Sequence, residues 1–117
     1  MEELRIDVDA PRDDAVVITV GGFVDTNTAP ALETSLLEHV GGGARVVVVD
    51  LGAVDYVSSA GWGVMIAVVN RLREQGADLR LAALRPEVEQ VYRLLEFPSI
   101  LHAYASADDA LADRSAL

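Results

Sequence analysis

Hydrophobic residues in this chain fall into short blocks bounded by glycine, proline or clustered acids, and the blocks alternate between strand and helix spacing. Leu4 to Val8 alternates weakly with polar residues, and Ala15 to Val20 is a β-branched run. Pro11-Arg12-Asp13-Asp14 between them reads as a turn, which predicts an antiparallel hairpin. Gly21-Gly22 is expected to end that pair. After Phe23-Val24-Asp25, the polar group Thr26-Asn27-Thr28 precedes Pro30, a good first-turn residue. Leu32, Leu36, Leu37 and Val40 then recur at helical spacing until Gly41-Gly42-Gly43 stops them.

Val46 to Asp50 is too uniformly apolar for a strand with a wet face, which predicts a central strand covered by helices. Within Asp50 to Gly63, DLGAVDYVSSAGWG, the strand gives way to a loop and then to a second helix over Gly61 to Gln75. Gly76 stops that helix, and Arg71 and Arg73 lie near its negative end. Leu79 to Leu84 is a further strand. Pro86 opens a third helix with Glu87 and Glu89 in its first turn and Val88, Val91, Tyr92 and Leu95 on one face; Phe97-Pro98 closes it. Ile100 to Tyr104 is a last short strand, and Ser106-Ala107-Asp108-Asp109 has the form of a capping box before a terminal helix. Two strands followed by repeated helix–strand units, with about four helices, predict one α/β domain over 1–117 built on a mixed sheet with right-handed crossovers.

The 117 residues suffice for a single core, and with aromatics at only 5% that core is aliphatic. Cysteine is absent, which excludes disulfides, thiolate metal sites and thiol catalysis, and fits a cytoplasmic protein. The start Met1-Glu2-Glu3 lacks the basic and apolar segments of a secretory signal, and no apolar run approaches the ~20 residues needed to span a bilayer, so no membrane insertion is expected. Nineteen acids stand against nine bases, for a net charge of -10, and every base is arginine. That surface repels phosphate polyanions, so nucleic acid is a poor partner and a protein with a basic or mixed face a better one. Without lysine the chain has no P-loop lysine, no Schiff-base lysine and no receiver-domain lysine.

The chemistry concentrates at Ser58 and Ser59, which fall at a helix N-terminus, where unbonded N–H groups and the helix dipole favour a hydroxyl, carboxylate or phosphate. Ser59 is a candidate N-cap, and Asp25 a candidate cap or ligand for loop amides. Trp62, between Gly61 and Gly63, is expected to stand exposed as an interface anchor, since tryptophan is enriched in binding hot spots. Tyr56 reads as a half-buried strand-end residue. His39 and His102 are without metal-ligand spacing, and no metal or cofactor site is predicted. The string SSAGWG is not G-x-S-x-G, and a triad would need one of those histidines to reach the serine, so catalysis is disfavoured and no catalytic residue is assigned.

The spacing of VVVVDLGAVDYVSSAGWGV, preceded by VGGFVDTNTAPAL and followed by GADLRLAALRPEVEQVYRLLEF, resembles the STAS domain of bacterial anti-sigma factor antagonists over nearly the whole chain. The resemblance implies a binding protein rather than an enzyme. Its partners would be an anti-sigma factor with serine kinase activity, which it binds so that the sigma factor is released, and a serine phosphatase. The family's phosphorylated serine maps onto Ser59, leaving Ser58 the less favoured acceptor, and its aspartate after the second strand maps onto Asp25, expected close to that serine. Asp25, Ser58, Ser59, Gly61 and Trp62 would form the partner-binding set. Two departures stand out: Ser58 occupies a position often held by aspartate, and Trp62 one commonly held by leucine. The alternative reading is a STAS module without the switch, an accessory subunit of a lipid-transport or stress-signalling assembly.

Overall fold

The computed structural model describes residues 4–114 of the chain; Met1-Glu2-Glu3 lies outside them. Five strands form one sheet in the order β1-β2-β3-β4-β5: β1 is Arg5–Arg12, β2 Ala15–Val24, β3 Val46–Val57, β4 Asp78–Ala82 and β5 His102–Tyr104. β1 and β2 form the antiparallel hairpin, and the other neighbours pair in parallel. The helices are α1 at Ala29–Leu37, α2 at Ser59–Glu74, α3 at Pro86–Leu94 and α4 at Ala107–Ala112, with a 3₁₀ turn at Phe97–Ser99.

Strands that pair in chain order, joined by crossovers of one hand, place every crossover helix on the same face. Accordingly Ile18, Val20, Val47, Val49, Leu79 and Leu81 share one core with Leu32 and Leu36 of α1, Met65 and Val69 of α2 and Val88 of α3. The intervening residues Val46, Val48 and Ala82 pack on the other face against Ala110 of α4. Residues 46–49 are therefore fully buried on both sides, which is why that run carries no polar alternation.

The central strand extends well past its apolar run. Leu51 to Val57 is strand rather than loop, paired with β2 alone because β4 ends opposite Asp50. Two register shifts, between Thr19/Gly21 and between Gly22/Phe23, set extra β3 residues against β2. Burial on β3 then falls on Leu51, Val54 and Val57, every third residue, so the period of two that marks a strand is lost. Gly21-Gly22 does not end β2; Gly22, at φ +99°, sits at the shift itself. The hairpin turn is shorter than the sequence suggests, because Pro11 and Arg12 still belong to β1.

α4 is held by a side chain that pattern reading passes over. Arg80 on β4 has no exposed surface and donates from Nη1 to the carbonyls of Ala110 (2.6 Å) and Asp113 at the C-terminal end of α4. A guanidinium there meets carbonyls without intrahelical partners at the negative end of the helix. Its Nε lies 3.7 Å from Asp78 Oδ2, its Cζ is 5.7 Å from the centre of the Tyr104 ring, and Asp78 Oδ1 accepts from Arg73 at 2.9 Å. At the other end Ser106 accepts the Asp109 N–H at 3.1 Å, as its capping sequence predicts.

The Tyr104 hydroxyl donates to Asp113 Oδ2 at 2.6 Å. Burial, and then this hydrogen bond to a carboxylate, push the phenol up to about 12 from its ordinary 10. Because the folded value is raised, the contribution to stability is complete below pH 10 and is lost as pH rises towards 12. Urea midpoints at pH 9 and pH 11.5 are expected to fall further for the wild type than for Tyr104→Phe; parallel falls would remove Tyr104 as the cause.

Candidate functional site

β2 and β3 end side by side, with Val24 paired to Val57, so Asp25 and Ser58 are the next residues out at the same rim of the sheet. The Ser58 N–H donates to the Val24 carbonyl at 2.7 Å and ties the two ends together. The first turn of α2 crosses this junction closely: a Cβ on Gly61 would come 2.6 Å from Val24 Cγ1 and 2.9 Å from Val57 Cγ1. Only a residue without a side chain fits there. Gly61 is thus buried, while at Gly63 an added Cβ meets nothing within 4 Å.

The two serines divide their roles. Ser58, in extended backbone and 9% exposed, is the N-cap of α2, its Oγ accepting the Gly61 N–H at 3.2 Å. Ser59, expected as the candidate cap, is instead the first residue of the helix. Its side chain is exposed, and its hydroxyl forms no hydrogen bond among the described residues. The first turn of α2 carries no acidic residue, so nothing in it offsets the positive end of a 16-residue helix. The N–H groups of Ser59 and Ala60 are likewise without acceptors among the described residues.

Asp25 serves the loop that enters α1. Its Oδ1 accepts from the backbone N–H of Asn27 (2.9 Å) and Thr28 (3.0 Å), while the Thr28 hydroxyl accepts from the Asp25 N–H (2.9 Å) and donates to the Phe23 carbonyl (2.7 Å). That use of Oδ1 fixes the carboxylate at the loop entering α1, and it forms no hydrogen bond with either serine.

The structure corrects the expectation for Trp62. Its indole is 2% exposed, stacked on Tyr92 with ring centroids 6.1 Å apart and packed against Phe97 at 5.2 Å. The glycines beside it reflect the close approach to β2 at Gly61 and open surface at Gly63, and the indole turns into the space that α3 and the 3₁₀ turn leave. Trp62 is therefore a core residue rather than an exposed anchor. The apolar surface near the rim comes from Tyr56, a half-buried strand-end residue as expected, and from Phe23. Tyr56 is 50% exposed, with its ring centroid 6.3 Å from that of half-exposed Phe23. The apolar face expected on α3 is split: Val88 and Tyr92 are buried, but Val91 and Leu95 are exposed, as is Leu94 at 80%.

His102 lies on β5, separated from β3 by β4, and neither histidine hydrogen-bonds to Ser58 or Ser59. A hollow of about 720 Å³ between β5, α3 and the residues after β4 is lined by Ala83, Tyr92, His102 and Tyr104 but by none of the rim residues Asp25, Ser58 and Ser59. Among the described residues no helix is long and apolar enough to cross a membrane.

Burial makes these outcomes measurable. Gly61→Ala is expected to destabilise the fold by ~1–3 kcal/mol through overpacking, whereas Gly63→Ala should raise stability by up to ~1 kcal/mol, both read from thermal midpoints. The free protein should show blue-shifted tryptophan emission that iodide does not quench, and Trp62→Ala should lose ~3–5 kcal/mol, as for a large core side chain.

Comparison with known proteins agrees with this architecture. The STAS domain family model matches residues 7–110. The BtrV protein of Bordetella bronchiseptica, which carries a provisional assignment as an anti-sigma factor antagonist, is 37% identical over 100 residues, covering 86% of each chain. The crystal structure of an anti-sigma factor antagonist from Mycobacterium paratuberculosis superposes with a TM-score of 0.83 at 28% identity, over 93% of this chain and 92% of that one. The Bacillus protein SpoIIAA, at 14% identity, shares the fold in its unphosphorylated form (TM-score 0.73, over 94% of this chain and 96% of that one) and in its phosphorylated form (0.72, over 92% and 96%). With this match over nearly its whole length, the chain belongs to the STAS-domain family.

Proposed function

We propose that this chain is a cytoplasmic anti-sigma factor antagonist that binds an anti-sigma factor with serine kinase activity, frees the sigma factor, and is switched off by phosphorylation of Ser59 and restored by a serine phosphatase. The observation that carries this reading is the division between the serines. Ser58 Oγ is committed to the helix cap and largely buried, while the Ser59 hydroxyl is exposed and unbonded at the start of α2. The relatives named as anti-sigma factor antagonists support the partner class, and the sharing of the fold by both forms of SpoIIAA supports a switch that leaves the domain folded.

In this reading the Ser59 oxygen attacks the γ-phosphorus of ATP held with magnesium by the partner. An O–P bond forms, the bond to the β-phosphate oxygen breaks, ADP leaves, and the serine proton passes to a base on the partner. The chain contributes the acceptor hydroxyl and the docking face. The phosphate adds about -1.5 to -2 charges at neutral pH, at a helix start with free N–H groups and no acid of its own. The fold tolerates that charge. The interface does not, because a dianion on the same rim as Asp25 must be desolvated against the partner.

The partner is identified by capture from the native cytoplasm with mass spectrometry of retained proteins and phosphosites. Ser59→Ala should abolish kinase-dependent labelling. Ser58→Ala should still be labelled but melt earlier, having lost a cap worth ~1 kcal/mol. Ser59→Asp should keep the thermal midpoint while partner affinity falls at least tenfold, ~1.4 kcal/mol by calorimetry. Labelling of Ser59→Ala at Ser58 would reverse the assignment.

A further inference from the structure

We propose that a crevice between the end of β3 and α3 is a preformed socket for one apolar side chain carried on a basic segment of the anti-sigma factor. This rests on the reading above and extends it from the switch to the surface that the switch guards.

The crevice holds about 200 Å³. For comparison, a dry cavity of about 150 Å³ takes a benzene ring. Buried Val57, Trp62 and Val88 form its floor, and exposed Tyr56 and Val91 its apolar rim. The Trp62 indole lines it, yet the indole N–H is buried without an acceptor. The carboxylates of Asp55 and Glu87 beside it make the socket suit a peptide segment better than a hydrocarbon.

Exposed apolar residues also flank the crevice on both sides. On one side Tyr56 touches Phe23, two residues before Asp25; on the other, Val91 is followed one turn later by exposed Leu95. α2 joins socket to switch, since Ser59 opens the helix whose fourth residue is Trp62. Charge selects the occupant. Asp55 and Glu87 also line the crevice; Asp55 is paired with Arg85 at 2.6 Å, but Glu87 forms no ion pair among the described residues, and the chain as a whole carries -10. An acidic rim around an apolar hole favours a side chain flanked by arginine or lysine and disfavours an acidic segment.

The test titrates wild type, Val91→Glu, Glu87→Gln and Ser59→Asp with the purified kinase anti-sigma factor identified by capture. In parallel it follows the single indole ¹H–¹⁵N resonance of Trp62. Val91→Glu, at an exposed position, should weaken binding at least about tenfold with an unchanged melting temperature. Glu87→Gln should weaken it less and flatten its salt dependence. The wild-type indole resonance should shift in the complex. Wild-type affinity for Val91→Glu alongside failure of Ser59→Asp would overturn the socket and leave the switch standing. Wild-type affinity for Ser59→Asp would instead remove the reading beneath it. Should Val91→Glu fold poorly, an indole resonance unmoved by saturating partner overturns the socket by itself. So does one that moves on concentrating the free protein or on adding anionic vesicles, which would assign the crevice to a second copy or to lipid.

Discussion

The site depends on one close approach, the crossing of the first turn of α2 over the paired ends of β2 and β3. A backbone hydrogen bond from Ser58 to Val24 joins the strand end to the helix start, and the absence of a side chain at Gly61 lets the helix settle onto Val24 and Val57. Once that contact exists, most of the rim geometry follows. Asp25 and Ser58 become neighbours across the sheet although 33 positions separate them in the chain, Ser59 is turned outward, and Trp62 is turned inward. The arrangement presents the Ser59 hydroxyl on a rigid platform, which the proposed phosphorylation by a partner kinase requires.

The rigidity of that platform comes from burying the sheet on both faces with little material. Three crossover helices cover one face, and the other is closed over its centre by a helix of six residues, far too short to be stable alone. It persists because Ser106 caps its start and the buried guanidinium of Arg80 collects the carbonyls at its end. A lone buried charge would be costly; here Asp78, shared with Arg73, and the face of Tyr104 compensate it. Each loop at the rim is organised the same way, by one short polar side chain satisfying backbone groups that the turn leaves open: Asp25 before α1 and Ser58 before α2.

Much of this was legible in the sequence. The hairpin, the order of helix–strand units, the doubly buried run at 46–49 and the cap at Ser106 all follow from periodicity and turn chemistry, which act locally. The misreadings share a physical cause. Bulges against β2 changed the burial period on β3 from two to three, so Leu51 to Val57 looked like a loop. Trp62 read as exposed because its flanking glycines suggested open space, whereas only the tertiary approach of α2 to β2 says that Gly61 faces a wall and Gly63 faces solvent. The cap fell one residue earlier than expected, on Ser58, because adjacent serines are chemically alike and only backbone geometry tells the extended one from the helical one. Arg80, set in an otherwise plain strand, carried no local sign that its charge would be buried by a helix 30 residues away.

The outermost strand carries a consequence for how such a domain is recognised. β1 leaves one edge of its backbone without a partner strand among the described residues, an invitation to pairing with another chain, yet its residues are mostly exposed and include Arg5, Asp7, Asp9, Pro11 and Arg12. Charges and a proline along an edge discourage strand addition. The protein is thereby left to be read from the ends of its strands rather than from their sides. Under the proposed function, recognition then depends on a few rim residues that one covalent modification can reach, instead of on a ladder of backbone hydrogen bonds that no single modification would undo.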